Sequence, residues 1–257
     1  MIKIKDHIVF DHIGSWPKLI IKIIMESENS LKEFLNEEKK RILEPDFLVR
    51  IKCPPNPNKE IWNSVANKIE SVLSGRKLVG IHCTKLMDYE IEEIIKNGLM
   101  PLEKSYAINR VNKLYKNGLI SEKLKNEIAN KSELEENERV GKVFTFYNIS
   151  TLQFEDGLRK FFTYWGGESI FQYLEDSSEL RKIGIPCIIF ISMNIENIPQ
   201  NIKLGERFLC IFFNDYYCPT GMEFSFNKKI DVLKVIQRDN KLFNDLTNIE
   251  SWDLNAD

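Results

Sequence analysis

"LVGIHCTKLMDYEIEEIIKNGLMPL" (residues 78–102) sets an apolar run against a charged, periodic one, with a histidine and a threonine at the junction. "LVGIHC" (78–83) is short, apolar and bounded, which reads as a strand. "YEIEEIIKNG" (89–98) places Ile91, Ile94 and Ile95 on one helical face and stops at Gly98, a residue type that closes helices. The local picture is strand, turn, helix. His82 sits where the strand gives way, in a chain that has only 3 histidines.

Toward the amino terminus the pattern is looser. "IKIKDHIVF" (2–10) reads as a strand, and "NSLKEFLNEEKKRIL" (29–43) carries apolar residues at helical spacing. The prolines of "CPPNPNK" (53–59) then remove amide donors and fix φ, which breaks regular structure. "EIWNSVANKIESVLSG" (60–75) reads as a helix with Trp62, Val65, Ile69 and Val72 on one stripe and Gly75 at its end. These features divide the chain into an accessory region, 1–74, and a main domain, 75–257. His7 and His12, without partner ligands nearby, read as structural.

Toward the carboxyl terminus, two polar helices fill 105–130 around the break "KNGLISE", and "SELEENER" (132–139) is a solvated acidic connection. Strands follow in "KVFTFYNI" (142–149), "PCIIFISM" (186–193), "RFLCIFF" (207–213), "MEFSF" (222–226) and "DVLKVIQ" (231–237), all rich in β-branched and aromatic residues. Such spacing makes a sheet of about five or six strands. "FEDGLRKFFTYWGGESIFQYLED" (154–176) is helical in period, with Gly166–Gly167 to break it. The tail after Asn240 reads as polar and loose. The fold class is therefore α+β, a mixed, mostly antiparallel sheet with flanking helices.

Composition excludes several classes. With 43% hydrophobic and 29% charged residues this is an ordinary globular chain, and its longest apolar runs are too short to span a bilayer. The opening lacks a secretory signal pattern, so the expected location is the cytoplasm. A net charge of −2 provides no general field toward nucleic acid. Cys53, Cys83, Cys187, Cys210 and Cys218 are odd in number and never form C-x-x-C, which argues for reduced thiols and against zinc. No P-loop, no G-x-G-x-x-G after a strand and no G-x-S-x-G is present.

A strand ending in His-x-Thr, then a helix, Gly-Leu and a proline, and much later a glutamate opening a strand, resembles the ADP-ribosyltransferase fold. The resemblance is to its histidine-bearing branch, which includes diphtheria-toxin-like and poly(ADP-ribose) polymerase-like enzymes. His82, Thr84 and "NGLMP" (97–101) carry the first part. "VFTFYN" (143–148), followed by a helix with Phe161, Phe162, Tyr164 and Trp165, carries the second. "PTGMEFSF" (219–226), ahead of "IDVLKVIQ", carries the third. Cys83 stands where relatives often have glycine, phenylalanines replace the usual tyrosines of the middle strand, and Gly221 replaces the first acid or amide of the toxin-type E-x-E or Q-x-E. That last departure argues against arginine or asparagine as acceptor.

The resemblance implies a split β-sheet core, NAD as co-substrate and no metal. It implies Glu223 as the catalytic acid group and His82 as a hydrogen-bonding partner of a ribose hydroxyl. The backbone of Cys83 would meet nicotinamide, Thr84 would steady the strand end, and Phe144, Phe146 and one of Tyr147, Tyr164 or Trp165 would stack on the ring. Glu168 in "YWGGESIF" (164–171) competes for the acid role, and Arg159 and Lys160 are candidates for the pyrophosphate. The acceptor is a protein, a nucleic acid or a small molecule, and the setting a bacterial toxin or phage-defence effector.

Plain readings stand beside these. His82 is a satisfied imidazole, Phe144 and Phe146 are core residues at strand spacing, and Glu223 is an exposed strand residue. Two rival functions compete with the transferase. One is a catalytically inactive α+β binding or immunity-type module, since "FDHIGSWP" (10–17) resembles openings of bacterial immunity proteins. The other is a nucleic-acid enzyme with a basic groove around Arg110, Lys113 and Lys116.

Overall fold

The computed structural model describes residues 4–131, 141–154, 156–172, 174, 177–214 and 223–248. Helices α1 (Lys18–Glu26), α2 (Glu28–Leu43), α3 (Phe47–Lys52) and α4 (Lys59–Leu73) lead to strand β1 (Lys77–Leu86). Then come α5 (Asp88–Asn97), α6 (Lys104–Lys116), α7 (Glu122–Lys131), β2 (Val143–Phe146), α8 (Thr151–Phe154) and α9 (Asp156–Thr163). The order finishes with α10 (Glu168–Phe171), α11 (Ser178–Lys182), β3 (Ile185–Asn194), α12 (Leu204–Phe213), β4 (Glu223–Phe226), β5 (Val232–Gln237) and α13 (Lys241–Thr247).

Two compact units result: Met1–Leu78 with Asn194–Thr220, and Val79–Met193 with Gly221–Asp257. In the first, α4 buries Trp62, Val65, Ala66, Ile69 and Leu73, the stripe its sequence period dictates. Against it lies α12, and a Cβ added at Gly205 would come within 2.1 Å of the Ala66 carbonyl oxygen. Glycine is what lets the two backbones close. The segment "RFLCIFF", expected as a strand, belongs to this helix: Leu204, Phe208 and Leu209 are buried together on one face. β-Branched and aromatic content does not separate a short buried helix from a strand, and here packing against α4 decides.

Of the opening "IKIKDHIVF", the described residues 4–10 form no strand; an isolated parallel bridge joins Ile8 to Leu78. Local hydrogen bonds knot the next residues together instead. The Ser15 hydroxyl donates toward the Val9 and His12 carbonyls at 3.0 and 2.8 Å, and Trp16 Nε1 donates to Phe10 O at 3.0 Å. Cys53, Cys83 and Cys187 are free thiols. Cys210 is disulfide-bonded, which corrects the expectation of five reduced cysteines.

The second unit holds a five-stranded sheet in the order β4-β2-β1-β3-β5. β1 pairs antiparallel with β2, β2 with β4 and β3 with β5. A Cβ on Gly80 would touch Met193, while one on Gly184 would touch Leu86, so β1 and β3 also run in opposite directions. β3 is buried from Pro186 to Ile191, as a strand covered on both faces must be. The chain is thus α+β with an antiparallel sheet. The helices α6 and α7 and the turn between them pack Val111, Leu114, Ile120, Leu124 and Ile128 into a cluster with Trp165, Ile170 and Leu180. The loose tail expected after Asn240 is instead ordered through Thr247: Asn240 caps α13 by accepting from Leu242 N at 3.0 Å, and Phe243 packs edge-on against Phe162. One buried aromatic anchors that helix, a signal too small for a composition argument. The acidic connection 132–139 lies outside the described residues.

Among the described residues no helix is long and apolar enough to cross a membrane.

Candidate functional site

A cavity of about 140 Å³ opens in the second unit, between the sheet and the helices that follow β1 and β2. Its sheet wall carries His82, Cys83, Thr84, Phe144, Phe146 and Glu223; its helical wall carries Glu90, Arg110, Phe161, Gly166, Gly167 and Glu168. Residues distant in the chain thus converge. Leu86, Leu99, Met100 and Leu102 add apolar lining.

The sheet wall is set by period and register. Phe144 and Phe146, two apart on β2, must share a face. In the β2–β4 ladder Phe146 is paired with Glu223 and Phe144 with Ser225, and directly opposed residues present side chains on the same side. The Glu223 carboxylate and the Phe146 ring are therefore cross-strand neighbours on the cavity face. Thr145, Phe224 and Phe226, which alternate with them, are buried and do not line the cavity.

His82 is bound at one nitrogen. Its Nδ1 lies 2.8 Å from the Phe144 carbonyl oxygen, and since a carbonyl only accepts, Nδ1 carries the proton. Burial lowers the imidazole pKa below its ordinary value, against the opposing pull of that carbonyl and with help from the Arg110 charge. The ring is accordingly neutral, and Nε2 is a lone-pair acceptor suited to a hydroxyl. Burial also pushes the Cys83 thiol pKa far up, so this sulfur is no nucleophile at neutral pH. Thr84 is buried in β1 beside it.

The three aromatic alternatives expected from sequence lie elsewhere. Tyr147 is buried and stacks on Phe224 with centroids 4.9 Å apart, on the face opposite Phe146. Tyr164 accepts from Arg181 Nη2 at 2.7 Å and stacks on Phe171. Trp165 is fully buried and donates from Nε1 to Glu90 Oε2 at 2.9 Å. None of the three lines the cavity. The aromatic that does enter from this segment is Phe161; the helical period of α9 gives two faces, and the inward one was not distinguishable from sequence.

The helical wall holds the residues that sequence reasoning missed. Glu90 accepts from Arg110 Nε at 2.6 Å through Oε1, and from Met87 N and Trp165 Nε1 at 2.9 Å through Oε2. The Arg110 guanidinium sits 4.6 Å from the Trp165 ring centroid, and its Nη2 is buried without a hydrogen-bond partner among the described residues. A buried, multiply bonded ion pair of this kind fixes α5 to α6. Nothing in the spacing of Glu90, Arg110 and Trp165 announces it. It also corrects the expected basic groove: Arg110 is turned inward, while Lys113 lies 3.3 Å from the centroid of the Tyr89 ring.

Gly166 and Gly167 have φ of 101° and 76°, conformations that side chains disfavour. They stop the helical run and deliver Glu168 as the first residue of α10. Glu168 is half-buried and lines the cavity. Arg159, the pyrophosphate candidate on α9, does not line it, and neither does Lys160; both are exposed.

Chemically the cavity offers flat apolar walls, one hydroxyl-accepting imidazole and carboxylates from three elements, α5, α10 and β4. Among the described residues no group of three His, Cys, Asp or Glu is placed to hold a metal. No family model, curated protein or solved structure matches the chain.

Proposed function

We propose that the second unit is an NAD-dependent ADP-ribosyltransferase of the split-sheet, histidine-bearing type. The observation that carries this reading is that His82 and Glu223 line one cavity together with the Phe144 and Phe146 rings. Cleaving the bond between nicotinamide and ribose puts positive charge on the sugar, and a fixed carboxylate beside it lowers that barrier. Glu223 supplies the carboxylate. Phe144 and Phe146 give the departing ring an apolar, stackable surface. His82 Nε2 accepts a ribose hydroxyl and orients the sugar, a task that a neutral imidazole performs and a protonated one does not. The Cys83 peptide group supplies a donor and an acceptor for the carboxamide.

Incubating the protein with NAD labelled in the adenylate moiety and a cell extract tests this. Wild type transfers label to a macromolecular or small-molecule acceptor, and Glu223→Ala does not. Equal consumption of NAD by both forms removes Glu223 from the mechanism, and absence of NAD binding by calorimetry favours the rival of an inactive binding module.

A further inference from the structure

Two cations line the cavity, Arg110 and Lys142. Lys142 directly precedes Val143 at one end of β2, while Glu223 is paired with Phe146 at the other. The step from position 142 to 146 covers about 13 Å of extended chain, so the ammonium and that carboxylate stand well apart. Lys142 is half-buried and makes no ion pair among the described residues. Leu102, just before α6, holds this end of the strand: Gly141 N donates to Leu102 O at 2.8 Å, and Leu102 N donates to Lys142 O at 3.5 Å. Arg110 is carried by α6 itself. Its guanidinium is only partly used, for Nε on Glu90 Oε1 is its one hydrogen-bonded nitrogen among the described residues. A two-pronged grip on the carboxylate does not form, because Glu90 Oε2 takes the Met87 amide and the Trp165 indole instead. Nη2 is left buried without a partner, yet the side chain keeps 12% of its surface exposed, within reach of a ligand. A charged donor left in this way is costly until an acceptor meets it.

We infer that Arg110 and Lys142 form a phosphate subsite, with Lys142 at the end of the cavity away from Glu223. Glu90 offsets the charge of Arg110, so the guanidinium contributes fixed donors and Lys142 contributes the net positive charge. Phosphate fits this pair better than a carboxylate does, because its oxygens point several ways and so meet a guanidinium on one wall and an ammonium on another. The subsite replaces Arg159 and Lys160, which are exposed and do not line the cavity. A ligand with a phosphate here and a hydroxyl on His82 Nε2 is a phosphorylated sugar or a nucleotide. The subsite does not depend on the transferase reading, since an inactive binding module would use it in the same way.

Calorimetry with inorganic pyrophosphate, on the purified chain at low ionic strength, tests this. Wild type binds the probe. Lys142→Gln breaks no side-chain hydrogen bond or ion pair of the described structure and weakens binding about tenfold, the loss of one charge-assisted contact. Arg110→Lys keeps a cation for Glu90 but loses the fork, and weakens binding by a similar factor; should that variant not fold, Lys142→Gln decides alone. Arg159→Gln leaves binding within about twofold. No binding by wild type, or unchanged binding in Lys142→Gln, overturns the subsite. A loss in Arg159→Gln as large as in Lys142→Gln places the anion on the surface and overturns it too. Acetate that competes as well as pyrophosphate overturns the assignment to phosphate. Nicotinamide release from NAD is scored separately: a chain that releases nicotinamide without binding pyrophosphate refutes the subsite and keeps the transferase reading, and one that binds pyrophosphate as described but releases no nicotinamide does the reverse.

Discussion

The two walls of the cavity handle polarity in opposite ways. On the helical wall Glu90 makes three hydrogen bonds and sits in an ion pair with Arg110. On the sheet wall His82 uses Nδ1 on the Phe144 carbonyl and keeps Nε2 as an acceptor. A buried carboxylate that is fully bonded belongs to the fold, because its charge is balanced before any ligand arrives. An imidazole that lines a cavity with one nitrogen anchored and the other an acceptor can take a hydroxyl partner. Charge and burial do not distinguish a site from a strut; the state of each polar atom does.

The largest effect expected from this contrast is on stability. Glu90→Ala strips Arg110, the Trp165 indole and the Met87 amide of their acceptor at once, and the change costs about 3–5 kcal/mol in urea unfolding. A cost near zero would mean that the ion pair is ornamental. On the sheet wall the transferase reading predicts that the corresponding truncation, Phe146→Ala, weakens NAD binding about tenfold by calorimetry and leaves the unfolding midpoint much less affected. If Phe146→Ala unfolds the chain with no change in affinity, that ring is core and the contrast between the walls fails.

Tyr164→Phe is a control between the walls. Its hydroxyl accepts from Arg181 at 2.7 and 3.1 Å, so the variant loses about 1 kcal/mol of stability while NAD turnover stays within twofold. A large loss of turnover would restore Tyr164 to the site. The smallest effect is the pH dependence of His82. Burial lowers its folded pKa below the ordinary 6.5, so between those two values the unfolded chain binds more protons than the folded one. Stability therefore falls as pH drops through that window and is full above 6.5. Wild type minus His82→Gln, measured by denaturant melts from pH 7.5 downward, should show that loss; a flat difference contradicts the neutral, half-buried imidazole.

Much of the sheet was readable because strands with one covered face alternate and a fully covered one is continuously apolar. β2, β3, β4 and β5 each matched such a run. α12 was not readable, since ten residues rich in phenylalanine and leucine satisfy either period until α4 is seen beside them. His82, Phe144, Phe146 and Glu223 were named in the sequence through the resemblance, and all four line one cavity. Tyr147, Tyr164 and Trp165, named the same way, do not line it, because aromatic identity does not report which face a residue takes. The Glu90–Arg110–Trp165 cluster joins three elements, and no local pattern encodes a contact that only tertiary packing creates.

A carboxylate placed beside a sugar cation in this cavity is the claim on which the transferase reading depends. Release of nicotinamide from NAD by the purified chain, followed side by side for wild type and Glu223→Gln, probes it with water as the only acceptor. Wild type should release nicotinamide measurably, and the variant at a rate at least about 100-fold lower. Equal rates, or no release by wild type at any NAD concentration that saturates binding, would contradict it.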